Sequence, residues 1–190
     1  GGTVPKWMAV LAVAMGVVLA AVCAHSYMMA ARPVWDCVLE VLSIVGAACI
    51  LGPATCAIVM AVKGDALDAI GLSALAGSVI GAVTSVAYAA FIQMSGSAFT
   101  QVGYYFDPTV PTKEMVDAAA TAGGQAPLVW VGAVIVGAAV PLVCCVLARK
   151  KGDAAGWKLF GGVAVAAALV GAVCLRVAFY NMGMSVFMFY

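Results

Sequence analysis

WKLFGGVAVAAALVGAVCLRVAFY, residues 157–180, carries no charge between Lys158 and Arg176. An α-helix rises about 1.5 Å per residue and the hydrocarbon core of a bilayer is about 30 Å thick, so about 20 such residues cross it. Reading outward from this stretch, four more runs of the same kind precede it: Trp7–Met29, Trp35–Val62, Leu67–Met94 and Pro127–Leu147. A composition of 66% hydrophobic and 9% charged residues, with a mean hydropathy of +1.14, is that of a membrane protein and not of a soluble domain. The fold class read from this pattern is an all-α integral membrane protein. Residues 1–190 form a single domain, a bundle of five transmembrane helices with one long polar connection from Ser95 to Ala126.

Charge and cysteine usage narrow the classes. The net charge of +1 is spread without a basic block, which argues against a nucleic-acid partner. All seven cysteines lie in or beside apolar runs and none forms a Cys-x-x-Cys pair. They read as small buried hydrophobes, not as disulfides or iron–sulfur ligands. The sequence opens on Gly1, as a processed chain or a fragment would. Lys6, the apolar stretch after it and Val22-Cys23-Ala24 outline a signal peptide, but an apolar stretch continuing to Met29 is too long for a signal core.

Orientation follows from the loops. Five spans put the ends of the chain on opposite sides. Lys6, Lys63, Arg149, Lys150, Lys151 and Lys158 then fall on one side, against Arg32 and Lys113 on the other. The positive-inside rule assigns the first side to the cytoplasm, leaving the C-terminus outside. The Ser95–Ala126 connection is therefore an outer loop. In it, Tyr104-Tyr105-Phe106-Asp107-Pro108 starts a turn beside an aromatic cluster, and Thr112 caps a short helix over Lys113–Thr121. The loop reads as an interfacial aromatic belt, or as a docking surface for an external partner.

Polar residues at membrane depth are the candidates for function. Arg176 is the costliest, at about 2.5–3.5 kcal/mol for an arginine at the centre of a span and less near an interface. It either snorkels to the outer head groups or faces the bundle interior with a partner. Asp36 and Glu40 stand four apart near the outer start of the second span and so share a helix face. With His25, these residues crowd the outer layer. No acidic residue falls at mid-depth, which argues against a pump or an ion-coupled transporter. His25 is the only histidine, so a bis-histidine haem cannot form within this chain. No metal-ligand spacing, Ser-His-Asp set or phosphate loop is present. Ser73, Gly77 and Gly81 predict a small-residue packing ridge, and Gly52-Pro53 predicts a kink in the second span.

The stretch Gly171-Ala-Val-Cys-Leu-Arg176-Val-Ala-Phe179-Tyr180-Asn-Met-Gly-Met184 resembles the end of the dimethyl sulfoxide reductase membrane anchor subunits, where an arginine followed closely by Phe-Tyr ends the last span. Gly52-Pro53, the apolar residues after it and Lys63-Gly64-Asp65 are similar to another stretch of that family, and the order and spacing of the spans between also match. The resemblance covers most of the chain. It implies the last five of the family's eight spans, in the bacterial cytoplasmic membrane. It also implies an anchor that oxidises menaquinol and passes electrons to a ferredoxin-like iron–sulfur subunit, which serves a molybdopterin catalytic subunit. The anchor itself holds neither haem nor iron–sulfur cluster. The family's best-known quinol residues fall in the spans missing here, so Arg176, Glu40 and His25 stand as a possible quinol pocket or outer docking face by position alone. A transporter or permease component and a purely structural anchor are the competing readings.

Overall fold

The computed structural model describes residues 5–30, 32–95 and 118–183. Among these, five helices are long and apolar enough to cross a membrane: α1 (Lys6–His25), α2 (Val38–Lys63), α3 (Asp68–Met94), α4 (Ala118–Lys151) and α5 (Ala154–Asn181). The expected Tyr104–Pro108 turn and the Thr112 cap lie outside the described residues.

Local chemistry sets the helix ends. Cys37 is extended, and its Sγ accepts from the Leu39 backbone N–H at 3.4 Å, so α2 starts at Val38 rather than within Trp35–Cys37. Asp36 therefore precedes the helix and is exposed, and the expected Asp36–Glu40 face does not form. Glu40 keeps its place in the first turn, where a negative charge complements the helix dipole. α1 stops at His25, short of Met29, because Ser26–Met28 fold into turns bonded to Val22, Ala24 and His25 carbonyls. The α4 span begins nine residues before Pro127, within the expected outer loop, because alanines 118–120 favour helix. Backbone bonds from Gln125 to Thr121 (3.2 Å) and from Val129 to Gln125 (3.0 Å) carry it past Pro127. From Pro127 to Ala139 it is wound with i→i+5 hydrogen bonds, a rare geometry.

α2 and α4 end alike. Lys63-Gly64-Asp65 and Lys151-Gly152-Asp153 each place a glycine in the left-handed region, with φ of 78° and 67°. A side chain would be strained at both. Asp153 then caps α5, accepting from the Gly156 N–H at 2.6 Å.

The helices alternate in direction, giving the bundle a basic end, with Lys63 and Arg149–Lys151, and an aromatic end, where α2 begins and α5 finishes. α2 packs most closely on α3, and α4 on α5. The core has two parts. Near the aromatic end it joins Trp35, Tyr88, Ile92, Val129 and Phe179; near the basic end it joins Ala57, Ala74, Cys145 and Trp157. α1 packs chiefly on α2, and Ala24 is its one buried residue.

Small residues do set the close approaches, though not all those expected. Gly77 and Gly81 are buried against α2, while Ser73 is exposed and bonds back to the Ala69 carbonyl at 3.1 Å. A methyl group on Gly77 would overlap the Cys49 carbonyl oxygen. That carbonyl lies four residues before Pro53, which has no N–H to offer it. The proline opens a carbonyl on α2 where α3 comes nearest, and α2 runs on through it to Lys63.

Candidate functional site

Glu40 and Arg176 meet across α2 and α5. Arg176 Nη1 donates to Glu40 Oε1. The glutamate is 1% exposed and the arginine side chain 33%. The burial asymmetry matters: the guanidinium keeps part of its surface at the edge of the bundle while the carboxylate is withdrawn inside it. A charge taken out of water at this depth persists only with a partner, and the pair meets that requirement.

Aromatic rings enclose the guanidinium. Its Cζ lies 5.0 Å from the Phe179 ring centre and 6.0 Å from that of Tyr27. Phe179 stacks on Trp35 at 4.7 Å and 11°, and the Arg32 Cζ sits 4.2 Å from the Trp35 ring centre. Each of the two parallel rings thus has an arginine beside it, a proximity favoured by the ring quadrupoles. Trp35 Nε1 donates to the Phe179 carbonyl at 2.9 Å, fastening the segment before α2 to the end of α5. Tyr180 donates to the Tyr27 hydroxyl at 3.2 Å, and Asn181 Nδ2 to Gln125 Oε1 at 2.9 Å.

Below the pair lies an apolar cleft of about 290 Å³. Its walls are Ser43, Ala47, Ile50 and Leu51 from α2, Ser85 from α3, Ala133 and Gly137 from α4, and Gly171, Ala172 and Leu175 from α5. Ala48, also on the wall, is exposed, so the cleft has an opening on the apolar flank of the bundle. Glu40 and Arg176 form one end. The i→i+5 segment of α4 contributes two small residues, Ala133 and Gly137, to the wall, and at Gly137 it packs closely on Gly171 of α5. Apolar walls with few convergent polar groups are the usual anatomy of a small-molecule site.

The sequence-derived candidates separate here. Glu40 and Arg176 come together. His25 stands apart from them, exposed at the end of α1, with Nδ1 3.4 Å from the Met28 sulfur. Sequence reasoning missed Tyr88. It is 0% exposed on α3, and its hydroxyl lies within electrostatic reach of Glu40 and Arg176. Among the described residues it is the one buried side-chain polar atom that no hydrogen bond satisfies. A tyrosine six residues before the end of an apolar run reads as interfacial; only the fold shows that it points inward.

Among the described residues no three histidines, cysteines, aspartates or glutamates gather as a metal site would require. Comparison with known proteins returned no matching family model, no matching curated protein and no matching solved structure.

Proposed function

We propose that this chain is a membrane anchor subunit of a molybdopterin oxidoreductase complex, oxidising menaquinol and passing its electrons to an iron–sulfur subunit. The observation that carries this reading is the Glu40–Arg176 pair at the end of an apolar cleft. A quinol has a ring with two hydroxyl groups and a long apolar tail. The cleft offers small apolar walls for such a ring, an exposed mouth at Ala48 for a tail and a charged acceptor–donor pair for a hydroxyl. The redox chemistry belongs to the quinone; the chain supplies position and charge.

In this proposal the aromatic end faces outward, where the ferredoxin-like and molybdopterin subunits dock, and the basic end faces the cytoplasm. The positive-inside count supports that orientation. The resemblance in the Arg176–Tyr180 stretch supports an eight-span bundle in a bacterial cytoplasmic membrane, of which these five helices form the last part.

The test is gentle detergent purification at native level, with mass spectrometry of co-purifying proteins and lipids. A molybdopterin subunit, a ferredoxin-like subunit and bound menaquinone are expected. Recovery with an ATPase or solute-binding protein instead, without quinone, overturns the reading in favour of a permease component. Recovery of both redox subunits without quinone leaves a structural anchor.

A further inference from the structure

We propose that Glu40 takes up the protons of the bound quinol, and that Tyr88 is the positioning residue that holds the Glu40 carboxylate for this transfer. The inference rests on the quinol reading and goes beyond it by assigning the proton route.

Three observations converge. Glu40 lines the cleft and is buried, so its carboxylate reaches a cleft occupant without crossing bulk water. Arg176 donates to one carboxylate oxygen, Oε1, and supplies the counter-charge for a carboxylate withdrawn from water. Tyr88 has a buried hydroxyl close enough to the same carboxylate to interact with it, and no partner in full hydrogen-bond geometry. A buried donor left unmade costs about 1–3 kcal/mol, so a packed core does not place one idly. In the working site Tyr88 donates a hydrogen bond to Glu40. That bond steadies the carboxylate when charged and weakens when Glu40 takes up a proton.

The groups facing Glu40 are few. Arg176 and Tyr180 come from α5 and Tyr88 from α3; Tyr27, beside Arg176, and Cys37, beside Tyr88, come from the chain between α1 and α2. α4 faces the cleft with Ala133 and Gly137, which do not titrate.

The balance is as follows. A quinol hydroxyl breaks its O–H bond as the proton bonds to Glu40. The electrons leave one at a time to the iron–sulfur acceptor of the partner subunit. Glu40 releases the first proton past the partly exposed Arg176 and then takes the second. The products are the quinone, two protons in water and a twice-reduced acceptor system.

The experiment uses native membranes carrying the full chain, with a water-soluble naphthoquinol as probe. Binding, oxidation rate and the pH profile of the rate are compared for wild type, Y88F and E40Q. Y88F preserves shape, ring stacking and burial. We expect unchanged binding and complex yield, an oxidation rate about tenfold lower, as for loss of one hydrogen bond to a charged group, and a displaced pH profile. E40Q should bind the probe and lose oxidation more severely. An unchanged rate and profile in Y88F overturn the positioning role. Wild-type rate in E40Q overturns the proton route while leaving quinol binding standing. Failure of wild type to bind the naphthoquinol overturns the quinol reading itself, and this inference with it.

Discussion

Replacing Arg176 with leucine strips the counter-charge from a carboxylate that is 1% exposed. The loss can be bounded. A unit-charge pair near contact is worth about 4 kcal/mol at an effective dielectric of about 20. Removing one partner of a buried pair costs about 3–5 kcal/mol, so R176L should lose about 3–4 kcal/mol. Replacing Glu40 instead leaves a guanidinium with 33% of its side chain exposed and two aromatic rings beside it, so E40L should lose only about 1–2 kcal/mol. The double variant removes both charges and should recover most of the R176L loss. Unfolding of the detergent-solubilised chain in a titration with dodecyl sulfate, followed by tryptophan fluorescence, reads these differences. A double variant as unstable as R176L, or an E40L loss matching that of R176L, would refute the reasoning.

Other outcomes follow from the same geometry. G77A should lose about 1–3 kcal/mol, because its methyl group would meet the Cys49 carbonyl, whereas G16A, with open space around it, should be neutral or slightly stabilising; the same unfolding titration compares them. W35F should keep the ring stack on Phe179 and lose about 1 kcal/mol with the Nε1 hydrogen bond, seen as a lower unfolding midpoint. A47F should fill the cleft and abolish naphthoquinol binding without lowering the yield of folded protein; binding at wild-type affinity would place the ligand elsewhere. G64A and G152A should each cost about 1 kcal/mol through left-handed backbone strain, and the matched effect at the two helix ends is the check.

How much of this was legible depends on which distances the sequence constrains. The five spans were legible because a bilayer demands uninterrupted apolar length, and that is a property of neighbours in the chain. The depth match of Glu40 with Arg176 was legible from span counting, since alternation of helices converts sequence position into height. What counting cannot supply is rotation about each helix axis. Asp36 had the right height and lies off the helix; His25 had the right height and lies apart from the pair. Tyr88 was hidden for the same reason, and the cleft walls more so, because Ala47, Ala133 and Ala172 resemble every other small residue in these spans. The early start of α4 was obscured by Gly123, Gly124 and Pro127, which mark a break in a soluble chain and are tolerated where a helix packs within a membrane bundle.

The wide winding of α4 is also a matter of phase. Gly132 and Gly137 stand five residues apart, a spacing that on an ordinary helix turns them about 140° away from each other. With i→i+5 bonding they come round to one side, and both lie against α5, at Cys174 and at Gly171. The segment thus behaves as a stretch carrying surplus chain, with the surplus spent on keeping two glycines in step along one neighbour. Deleting a single residue between them would let the helix return to its usual pitch, yet everything on the Gln125 side would be turned relative to α5. The Gln125–Asn181 bond and the Val129 contact with the core would then fall out of step together. The length of this helix is therefore held by timing as much as by membrane thickness, and an added or missing residue here should cost more than the same change among the exposed residues at its basic end.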